Sequence, residues 1–242
     1  MVTRSSLPKW RITTMNADQI VLLSVTIAAV AFLYSSVGHA GASGYIAVMT
    51  LAEFEPHVIK PTALMLNVLV ATIATWQFAR RGHFSWSLFW PFAVLAVPMA
   101  FLGGYFDLPT TVFKIIVGVI LVLSAGRFFF RPHDDAISDP PSIAWSIPTG
   151  AGLGLLSGLT GTGGGIFLTP LLLMMRWATT KRAAGVSALF ILLNSMAGLL
   201  GNISSTQHFP TFAIPLGIAA VVAGFAGAYF GSHKFPQTTI KR

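Results

Sequence analysis

Long apolar segments, separated by short polar stretches, dominate the pattern of residues along the chain. Residues 19–52 contain no Asp, Glu, Lys or Arg, and the same is true of residues 183–232. Because about 20 apolar residues suffice for one helix to cross a bilayer, each stretch is long enough for more than one crossing. The pattern predicts an all-α integral membrane protein, a polytopic helical bundle with seven full spans at residues 20–37, 61–79, 88–106, 110–130, 144–159, 183–201 and 212–231.

Two shorter apolar segments, residues 45–54 and 166–175, each follow a glycine-rich stretch. Glycine in a helix interior costs about 1 kcal/mol relative to alanine, and irregular backbone at membrane depth is tolerated only when protein buries it or it lines a wet cavity. We therefore expect the helix to be broken, or re-entrant, at residues 38–44 and 161–165. The alternative is that these glycines only permit close helix crossing, which is our interpretation of Gly198, Gly201, Gly217 and Gly224.

The order of segments occurs twice. Near the end of each half, identical residues recur at a spacing of 124, namely Ala96/Ala220, Val97/Val221, Phe101/Phe225, Gly103/Gly227, Tyr105/Tyr229 and Phe106/Phe230. We divide the chain into an N-terminal tail (1–19), a first repeat (20–130), a linker (131–143) and a second repeat (144–242). Residues 235–241 resemble 108–114, where the span 110–130 begins, so we expect the second repeat to lack its last helix. Internal duplication around a central site is typical of secondary transporters.

Composition agrees with a membrane protein and narrows its partners. Hydrophobic residues make up 54% of the chain and charged residues 9%, whereas a soluble domain carries roughly a quarter charged residues. The net charge is +8, but the basic residues cluster at the ends of apolar segments, where they set topology and meet lipid headgroups. We therefore expect the bilayer, and no nucleic acid, as a partner. Cysteine is absent, which excludes disulfides and thiolate chemistry.

The glycine breaks are also where we place the candidate binding site. A broken helix frees backbone N–H groups, and a helix that starts at the break adds partial positive charge, so the pair suits a small anion. His39 is the titratable group inside a break and the candidate for a coupling proton; Asn67 and Asn194 lie inside apolar spans and serve either as helix bridges or as substrate contacts. The predicted substrate-binding residues are His39, Gly41, Ser43, Gly44, Asn67, Thr160, Gly161, Thr162, Gly163, Gly164, Gly165 and Asn194.

Two other functions have to be weighed against transport by a carrier. Residues 41–44 read Gly-Ala-Ser-Gly, the form used by intramembrane serine proteases, but Ser43 would need a base, and the second half has glycine in its place. A passive anion channel has the same sequence features as a carrier. No cofactor is implied and no His/Asp/Glu cluster has metal-ligand spacing, while a homo-oligomer is compatible with the sequence.

The second half contains two extended motifs, Gly154-Leu-Leu-Ser-Gly-Leu-Thr-Gly-Thr-Gly-Gly-Gly-Ile-Phe-Leu-Thr-Pro170 and Gly185-Val-Ser-Ala-Leu-Phe-Ile-Leu-Leu-Asn-Ser195. In these motifs it resembles the sulfite exporter TauE/SafE family of membrane transporters. The first half is similar to a diverged copy, with Val37-Gly-His-Ala-Gly-Ala-Ser-Gly44 in place of the triple glycine. The resemblance implies a bacterial inner-membrane carrier of sulfite, sulfonates or related sulfur or carboxylate anions, whose members usually have an eighth span.

Topology follows from the distribution of basic residues. If the short segments cross the membrane, each half has an odd number of crossings and the repeats are inverted. With the N-terminus outside, ten of the basic residues are then cytoplasmic and five external, as the positive-inside rule requires. Ten residues span only about 15 Å as a helix, which favours re-entrant segments and parallel repeats. The charge distribution leads us to predict inverted repeats.

Overall fold

The computed structural model describes residues 17–106, 141–206 and 213–234, and a few positions between 108 and 122. Those residues form helices joined by short loops, without a β-strand among them. The first part contains α1 (Ala17–Ser36), α2 (Ala42–Leu51), α3 (Pro56–Arg80) and α4 (Trp86–Tyr105). The second contains α5 (Ile143–Thr160), α6 (Gly165–Met174), α7 (Thr180–Thr206) and α8 (Ala213–Tyr229), which ends in a π-helical turn (Phe230–Lys234).

Five described helices are long and apolar enough to cross a membrane: Asp18–Ser36, Pro56–Arg80, Trp86–Tyr105, Thr180–Thr206 and Ile214–His233. The predicted span at 144–159 is helix α5, which has 18 residues but is not one of these five. The predicted span at 110–130 lies mostly outside the described residues. The all-helical membrane class is confirmed, and the total of seven spans stays a prediction.

Both predicted helix breaks exist, with bounds that differ from those expected. The first break covers residues 37–41, because α2 already begins at Ala42, and the second covers residues 161–164. Five glycines have left-handed φ angles, namely Gly38 (78°), Gly41 (103°), Gly161 (80°), Gly163 (76°) and Gly164 (79°). Such angles end one helix and start the next at little cost only for glycine. The glycines therefore break the helix, and do not merely let helices approach.

Several helices start before the predicted spans. Helix α3 begins at Pro56 instead of residue 61, with Pro61 inside its second turn. Pro56 is tolerated at the first position of the helix because its missing N–H would have no intrahelical partner there. Helix α7 begins at Thr180, before Lys181 and Arg182, because a helix can extend beyond the apolar segment into the headgroup region.

Glycines bring the first helix of each part against the last helix of the other. A Cβ at Gly150, Gly154 or Gly158 of α5 would collide with the carbonyl oxygens of Phe92, Ala96 and Ala100 of α4, respectively. On the other side, Gly227 and Gly231 at the end of α8 lie against the carbonyls of Phe32 and Ser36 in α1. In both helix pairs the residue numbers of the contacting positions increase in the same direction, so α4 runs parallel to α5 and α1 runs parallel to α8.

The two longest helices, α3 and α7, cross the centre of the bundle in opposite directions. Asn67 contacts Ser195, while Ala74, further along α3, packs with Ala188, earlier in α7. Helix α7 runs parallel to α4, because Gly185 lies at His83 and Gly201 at Phe101. Helix α3 runs parallel to α8, as shown by the pairs Leu69/Gly217 and Gln77/Phe225. Thus α1, α3 and α8 share one direction, and α4, α5 and α7 have the other.

Charge separates the two ends of this bundle. We call the end where α3 and α8 finish and α4 and α7 start the basic end, since it carries Arg80, Arg81, Arg176, Lys181, Arg182 and Lys234. Burial, followed by the nearby charge of Lys181, lowers the pKa of His83 at this end. The opposite, acidic end carries every carboxylate of the described residues, namely Asp18, Glu53 and Glu55.

Candidate functional site

The two glycine breaks meet inside the bundle. The ring nitrogen Nε2 of His39, in the first break, lies 3.1 Å from the carbonyl oxygen of Gly165, the first residue of α6. His39 is 3% exposed. The helices that follow the breaks have Gly41 and Gly164 as their N-cap residues, and neither N-terminus has a side-chain cap. Two uncapped helix N-termini, each with N–H groups that lack an intrahelical acceptor, therefore lie close together.

A chain of buried hydrogen bonds continues from His39. Its Nε2 is also 3.0 Å from the hydroxyl of Thr169 in α6, and Thr169 donates to the hydroxyl of Ser187 in α7 over 2.7 Å. A carbonyl oxygen can only accept, so the contact with Gly165 requires that Nε2 carry a hydrogen. The same hydrogen suits Thr169, whose own proton points to Ser187. The first break is thereby joined to α6 and α7.

The second break is enclosed by the middle of α3 and α7. A Cβ built on Gly163 would lie 2.7 Å from Nδ2 of Asn67, 2.8 Å from Ile191 and 2.9 Å from the hydroxyl of Ser195. Asn67 donates to Ser195 over 3.2 Å, and both side chains are fully buried. Asn67 therefore bridges α3 and α7 directly over the break. Its Oδ1 accepts no hydrogen bond from the described residues.

Asn194 contributes less directly. Its amide donates to the carbonyl of Phe190 in its own helix over 2.8 Å. Phe190 in turn covers Gly164, where a Cβ would lie 2.8 Å from the ring and 3.4 Å from Ser157 Cβ. Oδ1 of Asn194 and the hydroxyl oxygen of Ser157 are buried without a hydrogen-bond partner among the described residues. A buried polar atom of this kind is costly unless a ligand or water satisfies it.

Thr160 and Thr162, two of the predicted substrate-binding residues, form hydrogen bonds with other protein atoms. Thr160 donates to the carbonyl of Leu156 over 2.6 Å, and its hydroxyl lies 3.0 Å from that of Thr162. Because the proton of Thr160 is used, Thr162 donates to Thr160. Gly161 packs on the backbone of α3, where its Cβ would lie 3.1 Å from the carbonyl oxygen of Lys60. An anion would have to compete for both hydroxyl protons.

Three predicted residues serve the packing of α2. Ser43 donates to the hydroxyl of Tyr34 in α1 over 3.0 Å. A Cβ at Gly44 would lie 2.5 Å from Val30 of α1. Gly41 is the N-cap, and Tyr45, whose hydroxyl donates to the carbonyl of Ala40, closes over it. The structure thus places Ser43 and Gly44 between α1 and α2 and leaves Gly41 at the break.

Sequence analysis did not select several residues that surround the breaks. Ser187 and Ser195 accept hydrogen bonds from Thr169 and Asn67, respectively. Nothing in the strongly apolar sequence around Thr169 indicates that this residue has a polar role. Lys60 is 3% exposed, and its ammonium donates to the carbonyls of Gly103, Gly104 and Phe106 over 3.3, 3.0 and 2.8 Å.

No group of three His, Asp or Glu residues in the described part of the chain could hold a metal.

Comparison of the sequence with known proteins relates this chain to membrane transporters. The family profile described as "Sulfite exporter TauE/SafE" matches residues 23–242. The "Probable membrane transporter protein y4hK" of Sinorhizobium fredii is 43% identical over 216 residues, which cover 87% of either chain. The "Probable membrane transporter protein MJ0441" of Methanocaldococcus jannaschii is 26% identical over 151 residues, 61% of this chain and 56% of that protein. No solved structure matches the chain.

Proposed function

Since the chain belongs to the sulfite exporter TauE/SafE family of multi-pass membrane proteins, we propose that it is a secondary transporter of a small anion. The substrate is sulfite, a sulfonate or a related sulfur or carboxylate anion, carried across the cytoplasmic membrane of the cell. The family and both relatives support membrane transport as such. That the substrate is a small anion rests on the chemistry of the breaks, whereas the choice of sulfite, sulfonates and related anions rests on the resemblance to the family.

The observation that carries this proposal is the meeting of two uncapped helix N-termini at the contact between His39 and Gly165. Free N–H groups and aligned peptide dipoles attract an oxyanion without a fixed cation. The second break faces Asn67 and Ser195, near the middle of α3 and α7. A site there lies close to the midplane, as in transporters built from repeats with discontinuous helices.

Two inverted repeats that alternate access to this site account for the architecture. The order long helix, glycine break, ten-residue helix, long helix, long helix occurs in α1–α4 and again in α5–α8. The first helix of each series packs on the last helix of the other, and corresponding helices have opposite directions. An inversion of this kind suits a carrier whose two halves rock about a central site. The positive-inside rule puts the basic end in the cytoplasm.

The intramembrane hydrolase is less well supported by the geometry. A serine nucleophile needs a base within hydrogen-bond reach of its hydroxyl. The hydroxyl of Ser43 donates instead to Tyr34, and Nε2 of His39 contacts Gly165 and Thr169. Transport therefore explains the buried polar residues better than hydrolysis does.

Flux measurements test the proposal and separate a carrier from a channel. Purified protein is screened for thermal stabilisation by sulfite, thiosulfate, sulfonates and small carboxylates, and the best anion is followed in proteoliposomes. A carrier exchanges labelled for unlabelled anion and shows counterflow, since its site alternates between the two sides. Flux that only follows the gradient, without counterflow, would indicate a channel. Stabilisation by none of these anions would contradict the proposal.

A further inference from the structure

We propose that His39 binds a proton together with the anion, so that the transporter carries both in the same direction. This inference rests on the proposed function, because it concerns the same site. Three observations carry it: the hydrogen bonds of the imidazole, the use of the buried Lys60 ammonium on the carbonyls of α4, and the position of His39 at the contact between the breaks.

The hydrogen bonds determine which nitrogen takes the proton. Nε2 already carries a hydrogen, because the carbonyl of Gly165 can only accept one. The neutral ring therefore has its lone pair on Nδ1, and a proton that enters the site binds there. The product is an imidazolium with hydrogens on both nitrogens, and its Nε2 contacts with Gly165 and Thr169 are kept. Protonation thus adds charge without breaking the contact between the breaks.

A proton on His39 adds to the positive charge that the breaks offer to an anion. An anion taken out of water loses its hydration, and positive charge close to it offsets part of that loss. Lys60 is the buried cation of the described residues, and its ammonium donates to three carbonyls at the end of α4. The helix N-termini supply only partial charge. Protonation of His39 supplies a full unit.

The elements packed around His39 bring few other titratable groups. Helices α1 and α2 contribute Tyr34 and Tyr45, and α3 contributes His57 and Lys60, while α6 contains none. Helix α7 carries Lys181 and Arg182 in its first turn, near Ala184, which lies against Gly38. Those two cations oppose protonation when the site is empty. A bound anion offsets them, so the anion and the proton each strengthen the binding of the other.

The experiment measures anion affinity as a function of pH for the full-length protein and two variants. The probes are methanesulfonate and thiosulfate, which stay ionised between about pH 5.5 and pH 8.5, on either side of the value at which histidine ordinarily titrates. His39→Gln keeps an N–H donor for Gly165 but cannot take a proton. His57→Gln is the matched control, because it removes a partly exposed histidine beside Glu55 at the acidic end.

We expect the apparent Kd of the wild type to rise with pH across this range, with a slope that approaches about tenfold per pH unit, the limit for one linked proton. In His39→Gln the Kd should change by less than about twofold over the same range, whereas His57→Gln should keep the wild-type slope. A His39→Gln variant that keeps the slope would overturn the inference. So would pH-independent binding to the wild type, which leaves anion transport itself intact. Binding of neither probe at any pH would contradict both.

Proton uptake by the wild type gives a second readout if His39→Gln does not fold. Addition of methanesulfonate to weakly buffered protein, at a pH within the range where the wild-type Kd rises, should raise the pH of the solution. The uptake should approach about one proton per bound anion. Anion binding without proton uptake at any pH would overturn the inference.

Discussion

At the scale of single residues, the left-handed glycines of the second break are the positions at which we expect substitution to affect transport most. Gly164 combines a φ of 79° with contact to the ring of Phe190, and it is the N-cap of α6. Any side chain at this position strains the backbone and covers the free N–H groups. The conformation of one residue therefore controls access to the helix N-terminus.

Replacing Gly164 with valine should reduce transport by about tenfold or more, because a β-branched residue resists the left-handed conformation and meets Phe190. Transport is measured in proteoliposomes, and insertion by the amount of protein recovered from membranes, which should stay near wild type. The matched control is Gly152→Val in α5, where a Cβ meets nothing within 4 Å. Normal transport by Gly164→Val would show that the glycine only packs.

Ser43 tests the hydrolase alternative. Ser43→Ala should retain most of the transport, since it removes one hydrogen bond worth about 1 kcal/mol. Tyr34→Phe removes the same bond from its other side and should lower the thermal stability by a similar amount. Labelling of Ser43 by a fluorophosphonate probe, with loss of labelling in Ser43→Ala, would favour the enzyme instead.

At the scale of helices, α4 depends on a residue from α3. The last carbonyls of a helix have no intrahelical partner, and a cation there also interacts favourably with the helix dipole. Lys60 fills this role for Gly103, Gly104 and Phe106, and its backbone touches Gly161 in the second break. The end of α4, the start of α3 and the second break form one contiguous unit.

Replacing Lys60 with methionine should therefore destabilise the protein by about 1–3 kcal/mol, the cost of leaving buried carbonyls without a donor. Thermal unfolding in detergent measures the change. Lys60→Arg is the control, because a guanidinium keeps several donors and should restore part of the stability. An unchanged melting temperature for Lys60→Met would mean that water replaces the ammonium.

At the scale of the whole molecule, the separation of charge predicts an orientation in the membrane. Among the described residues, the carboxylates lie at one end of the bundle and the basic residues other than the buried Lys60 lie at the other end. The opposite directions of corresponding helices let two similar halves place their polar ends on different sides. This distribution agrees with the inverted arrangement and with a cytoplasmic basic end.

Cysteine labelling in intact cells tests this orientation, because the protein has no native cysteine. Glu55→Cys at the acidic end should react with a membrane-impermeant maleimide from outside. Ser87→Cys at the basic end should react only after the cells are permeabilised. The reverse pattern would place the N-terminus in the cytoplasm, and reaction of both in intact cells would contradict the arrangement of α3 and α4.

The sequence alone determined the membrane class, the helix breaks and most helix positions. These properties follow from local composition: apolar length decides which segments cross, and clustered glycines decide where a helix stops. The observed helix bounds differ from the predicted ones where the composition is ambiguous, as at the start of α3. The expected span at 110–130 lies mostly outside the described residues. The packing role predicted for Gly198 and Gly201 is also confirmed.

Only the tertiary structure decided which polar groups meet. His39 and Gly165 are 126 residues apart in the chain, Asn67 and Ser195 are 128 apart, and no local pattern pairs them. Thr169 and Ser187 look like ordinary hydroxyls of apolar helices until the fold places them beside His39. From its place at the end of an apolar segment, Lys60 is expected to lie in the headgroup region, yet it is buried and its ammonium donates hydrogen bonds to carbonyls of α4. The physical reason is that hydropathy acts segment by segment, whereas hydrogen bonds between helices depend on direction and rotation, which are set only when the helices pack.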